Sequence, residues 1–248
     1  MNIKHLVRLV LILTLACLAY ACTEEELDQS REAEAHYVDL LYALSHHDQA
    51  AARKASTRLS HYLSLIQLRW YRPMKDEEVD NMHYHLAKAE RAYAESRTSI
   101  AEGQLELAAV QLDRAVYELY AADPVAFNEL YVGSIYDFVA TWTEVNRVVN
   151  DQELCSLVWT EFSRYGKDAR RAWQEVKWRK PSQRVYQFTE QTLTDFHLSH
   201  SLVDDSIDHF IAVVKTGDQC AAQLAAKEVD EALWTLVLLF GSEQLANL

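Results

Sequence analysis

Five glycines and three prolines in 248 residues leave this chain few places to turn tightly. A β-sandwich or barrel calls for a turn signal every ~8–12 residues, usually supplied by Gly, Pro, Asn or Asp. That scarcity argues against an all-β fold. Between the breakers run long segments rich in Ala, Leu, Glu, Gln and Arg, residues that lose little side-chain freedom in a helix. The expected fold class is all-α.

Apolar residues recurring at helical spacing divide the chain into about eight helices. Thr23 and Glu26 form a capping box ahead of a first helix bearing Tyr37, Leu40, Leu41 and Leu44. Asp48 caps a second, whose face holds Ala52, Leu59, Tyr62, Leu63, Ile66 and Trp70 and which Pro73 ends. A third begins at "KDEEVD", and Gly103 turns the chain into a fourth, "LAAVQLDRAVYELY". Pro124 is placed to open the next unit, as proline favours the first helical position. A fifth helix is expected over 127–149 and a sixth ends at "VKWRKP". A seventh runs from Ser182 to about Thr216, and Gly217 and Asp218 turn into an eighth, "LAAKEVDEALWTLV".

The second half repeats the first. "LRWYRP" at 68–73 returns as "VKWRKP" at 176–181. Leu107/Leu224, Ala108/Ala225, Ala109/Ala226, Asp113/Asp230, Ala115/Ala232 and Leu119/Leu236 are identical, and Tyr117 matches Trp234. Two matches in one order, each with a turn between them, point to two tandem antiparallel four-helix units arising by duplication. Residues 22–122 form the first and 123–248 the second, joined by short loops as bundles favour. The repeated motif then closes helix two of each unit. Arg69, Arg72, Lys177, Arg179 and Lys180 either satisfy helix C-terminal carbonyls while Trp70 and Trp178 seal the core, or form basic-aromatic corners for a partner.

Residues 1–21 have the layout of a secretory signal: Lys4 and Arg8, then an apolar run from Leu9 to Ala21 that is short for a membrane span. The stretch Leu18-Ala19-Tyr20-Ala21-Cys22 resembles the lipobox of bacterial lipoproteins, with the leucine one position further out than usual and a bulky Tyr20. The resemblance implies that Cys22 is lipidated and becomes the new N-terminus, with Cys17 a poorer match. Thr23 after the cysteine is not the aspartate that often retains lipoproteins at an inner membrane. The implied location is an outer-membrane lipoprotein facing the periplasm or the cell surface. Multiple acyl chains anchor stably, at about 0.8 kcal/mol per buried CH₂.

The formal charge of −13 becomes −15 once Lys4 and Arg8 leave with the signal. A charge of that sign argues against nucleic acid, whose phosphates require a basic footprint, and against broad docking on anionic lipid. Cys155 and Cys220 remain in a disulfide-permissive compartment. Each follows a probable helix start, so they are a disulfide candidate; two reduced cysteines are the alternative.

Linear signatures of catalysis are missing: no C-x-x-C-H, no H-E-x-x-H, no G-x-S-x-G, no Glu-x-x-His pair and no Gly-rich phosphate loop. No enzyme activity and no cofactor is expected. One patch could hold a divalent metal. His197, His200, Asp204 and Asp208 fall within about 80° on a wheel of about 3.6 residues per turn, and imidazole with carboxylate at such spacing can share a cation. A solvated polar face is the other reading. His83 and His85 flank the apolar stripe of helix three, and His46-His47 sit in a turn. Tyr37, Ala43-Leu44, Asp48, Ala51, Ala55 and Leu59 stand in an order similar to helical modules of unknown function on periplasmic heavy-metal efflux adaptors. That resemblance carries no ligand with it.

The expected function is that of a lipid-anchored, non-enzymatic scaffold or adaptor for another envelope protein. A metal- or small-ligand-binding lipoprotein using the histidine-aspartate patch is the alternative.

Overall fold

The structure is a computed structural model that describes residues 28–70, 76–122, 130–150 and 159–242. Among them there is no strand. Eight long helices account for most of the chain: α1 (28–45), α2 (Gln49–Trp70), α3 (Asp76–Glu102), α4 (Leu105–Ala122), α5 (Tyr136–Asn150), α6 (Trp159–Val176), α7 (Glu190–Val214) and α8 (Gln219–Val237). Two single turns, Tyr131–Ser134 and Gln183–Tyr186, and a 3₁₀ turn, Leu238–Phe240, complete the described elements.

Two expected caps and two expected glycine turns are in place; the Thr23–Glu26 capping box, Pro73 and Pro124 lie outside the described residues. Asp48 accepts the N–H of Ala51 at 2.9 Å, and Asp218 accepts that of Ala221 at 3.0 Å, each covering a helix N-terminal donor that has no partner within the helix. Gly103 and Gly217 close α3 and α7 at φ 79° and 81°, a left-handed backbone that a side chain would strain.

Buried apolar residues gather into two cores. One takes Leu40 and Leu44 from α1, Ala52, Ala55 and Leu59 from α2, Tyr93 and Ile100 from α3, and Leu112 and Ala115 from α4. The other is built on Trp142, Trp173, Val203, Phe210, Val229 and Leu236 from α5 to α8, and also takes Val38 from α1. Three of the seven matched positions of α4 and α8 share their degree of burial, while Ala109/Ala226, Asp113/Asp230, Tyr117/Trp234 and Leu119/Leu236 differ. Ala108 and Ala225, and Ala115 and Ala232, are buried, while Leu107 and Leu224 are both exposed.

α1 belongs to both cores. Val38 and Leu40, two positions apart, are fully buried in different ones, which requires a helix covered on most of its circumference. Such a helix buries its polar residues too, and Glu34, His36 and Asp39 are among them. Each is satisfied by groups from far along the chain or from its own helix. Asp39 accepts the amide of Ser242 at 3.0 Å and its hydroxyl at 2.5 Å, and lies 3.5 Å from His36 Nδ1.

Two expected helices are shorter than the sequence suggests. The fifth is broken at Ile135, whose φ of −109° and ψ of 8° separate the turn Tyr131–Ser134 from α5. The amides of Tyr131 and Val132 there donate to side chains of Tyr186 and Glu34, not to a preceding helical turn. The seventh does not begin at Ser182. Gln187 is left-handed at φ 50°, and Thr189 caps α7 by accepting the amide of Thr192 at 3.1 Å. The break turns Tyr186 and Phe188 onto Phe240, with ring centroids 5.0 and 5.5 Å away. Burying two aromatic rings outweighs one continuous helix.

Candidate functional site

The most distinctive surface of the described residues lies where α6 ends against α7. Gly166, Ala169, Trp173 and Val176 recur at i, i+3, i+7 and i+10, and that stripe is the buried side of α6. Trp173 is fully buried, with Phe138 at 4.9 Å and the His200 ring at 4.8 Å. Trp178 follows five residues later, about 140° around a helix from Trp173. Lys177 and Arg179 amides close the helix end on the carbonyls of Trp173 and Val176, both at 2.8 Å. Trp178 is left 77 % exposed.

Trp178 therefore does not seal the core; Trp173 does. The core-sealing alternative fails for Trp178, and the 166–169–173–176 spacing is the signal that identifies the tryptophan that does seal it. Lys177 Nζ stands 5.3 Å from the Trp178 ring centroid, within range of a cation–π contact. Arg179, Lys180 and Arg184, which follow it in the chain, are exposed. From 176 to 189 the chain has four cationic residues and no carboxylate, on a protein that is otherwise strongly acidic. In the matching stretch at 68–73, Arg69 and Trp70 close α2; the side chains of both, and Arg72, lie outside the described residues.

The histidine-aspartate patch has a different arrangement from the one expected for a metal centre. Asp204 accepts the indole Nε1 of Trp173 at 2.9 Å and lies 3.3 Å from Lys177 Nζ through both oxygens. Asp208 pairs with Arg170 at 3.0 Å. His200 turns inward onto Trp173 and Phe196, and its burial pushes the imidazole pKa down, only partly opposed by Asp204. His197 is exposed. Among the described residues no group of three or more His, Cys, Asp or Glu is disposed to hold a metal ion. The wheel placed the four on one face correctly, but α6 fills that face with Arg170, Trp173 and Lys177. A cation would have to displace two basic side chains.

Other histidines serve packing and pairing. His85 Nδ1 is 2.6 Å from Glu118 Oε2, with Lys88 3.3 Å from the other oxygen. The hydrogen bond from His85 is the main reason that the Glu118 carboxyl is held below its ordinary range. His46 stacks on Tyr42 at 3.9 Å, and His47 adopts φ 55° in the turn after α1. Cys220 is exposed and free, while Cys155 and Cys22 lie outside the described residues. No helix among the described residues is long and apolar enough to cross a membrane.

A second polar site was missed altogether. Glu34, on α1, accepts the Tyr186 hydroxyl at 2.5 Å and the Val132 amide at 2.7 Å. Tyr186 in turn accepts the amide of Tyr131 at 2.6 Å. These contacts span 152 and 98 residues, and no local pattern announces them. No family model matches the chain, and no curated protein or solved structure matches it.

Proposed function

We propose that the chain is a lipid-anchored, extracytoplasmic helical scaffold that holds another envelope protein, with residues 1–21 as signal peptide and Cys22 as the lipidated residue. The observation that supports a binding role is the exposure of Trp178 among Lys177, Arg179, Lys180 and Arg184. A large aromatic ring left in water contributes nothing to the core, and among the described residues only Lys177 of the cations near it in the chain is paired with a carboxylate, Asp204. Trp and Arg are the residues from which interface hot spots are built. Cations concentrated on an acidic protein favour a partner presenting carboxylates and suppress self-association at that corner. The proposed role is a binding one, in which Asp204 and Asp208 are already engaged by Lys177 and Arg170.

The test has two arms. Cys22→Ser should abolish acyl-chain incorporation and release the protein from the membrane fraction; unchanged incorporation removes the lipoprotein reading. A photo-crosslinker at position 178 should give a discrete adduct in cells, and Arg179→Glu with Lys180→Glu should abolish it. An adduct indifferent to those charges, or none, removes the corner as the binding surface.

A further inference from the structure

We propose that Glu34 is a proton-operated latch between the two cores: with a proton bound it holds α1 to the second unit, and on losing that proton it lets the contact loosen. α1 contributes to both cores, so whatever fixes it to the second unit fixes the two units to each other. Glu34 is buried at 5 % exposure, and its side chain reaches the turns Tyr131–Ser134 and Gln183–Tyr186 of the second unit at once.

The groups that face it are weak acids and amides. Tyr186 donates from one turn, Val132 and Gly133 donate backbone amides from the other, and Tyr131 and Tyr37 lie close enough for the charge of Glu34 to act on their hydroxyls. No Lys, Arg or His forms an ion pair with Glu34 among the described residues, and the nearby His36 is turned to Asp39. A buried carboxylate without a cation is costly to ionise. Burial raises its pKa from 4.5 to about 7, while the hydrogen bonds from Tyr186, Val132 and Gly133 pull the other way.

The sign follows from linkage. The native state binds this proton more tightly than the unfolded chain. The stabilisation is complete below 4.5 and disappears as pH rises through about 7. The other buried carboxylate of α1, Asp39, has different partners: it accepts from Ser242 and lies beside His36.

Thermal midpoints of the full-length protein and of Glu34→Gln, measured from about pH 5 to about pH 8, test the latch. The wild-type midpoint should fall relative to the variant by an amount on the order of several degrees across that range. A constant difference overturns the proposal. If Glu34→Gln does not fold, infrared spectra of the wild type with isotopically labelled glutamate decide the matter. One labelled carboxyl should stay protonated at about pH 5.5 and ionise towards neutrality; a fully ionised set at that pH overturns the latch.

Discussion

The indole Nε1 of Trp173 donates to Asp204 Oδ1 at 2.9 Å, and that bond ties the buried stripe of α6 to the polar edge of α7. The same carboxylate receives Lys177, so one side chain serves a core tryptophan and a helix-terminal cation. Asp204→Ala leaves the buried indole N–H without an acceptor, which costs about 1–3 kcal/mol. Denaturant unfolding should show a lower midpoint with an unchanged slope. A loss below about 0.5 kcal/mol would mean that the indole finds another acceptor.

The two tryptophans of the α6 end should separate cleanly. Trp173→Ala empties the core between Phe138 and His200 and should cost about 3–5 kcal/mol. Trp178→Ala removes a ring that is mostly in solvent, and should change stability by no more than about 0.5 kcal/mol. Unfolding curves of the two variants check this directly. Equal losses would contradict the burial assigned to each ring.

Divalent cations should leave the melting temperature unchanged after chelator treatment. Asp204 and Asp208 face Lys177 and Arg170, and a cation must break both pairs to bind. A ligand at 100 times its dissociation constant would stabilise by about 2.7 kcal/mol, which a melt detects. Such a shift, lost in His197→Ala with His200→Ala, would establish that the ion pairs yield to metal.

His200 should give a pH dependence opposite in sign to that of Glu34. Burial holds its pKa below 6.5, so the folded state binds this proton less well than the unfolded chain. The stabilisation is present above 6.5 and is lost as pH falls through the depressed folded value. In His200→Gln the acid-side decline in thermal midpoint should be shallower than in the wild type. An unchanged decline would place the acid sensitivity elsewhere.

Phe240, in the 3₁₀ turn after α8, joins that end of the chain to the two single turns. Its ring stacks on Tyr131 at 4.5 Å and meets Tyr186 edge-on at 5.0 Å. Phe240→Ala should cost about 3–5 kcal/mol. It should also raise hydrogen exchange at Val132, whose amide the Glu34 carboxylate accepts. Protection unaltered at Val132 would show that the aromatic cluster and the Glu34 contact form independently.

Helix number, most caps and the αα-hairpin turns were legible because they depend on neighbours within a few residues. Asp48, Asp218, Gly103 and Gly217 act on backbone groups that their own segments leave open. The His197–Asp208 face was read correctly as one face of one helix. What that face meets was not legible there, because the wheel of α7 contains nothing of Arg170, Trp173 or Lys177. Of the two readings of Trp178, sealing the core is excluded by its exposure, and the period of α6 already favoured Trp173 for that place.

The sequence by itself determined an all-α chain of about eight helices, since scarce turn residues and apolar periodicity are local properties. Only the tertiary structure decided that α1 serves both cores, that Ile135 and Gln187 interrupt two helices, and that Glu34 meets Tyr186 and Val132. Those outcomes depend on which surfaces remain to be covered once the helices pack, and a buried carboxylate takes its donors from whatever segment arrives there, however distant in the chain.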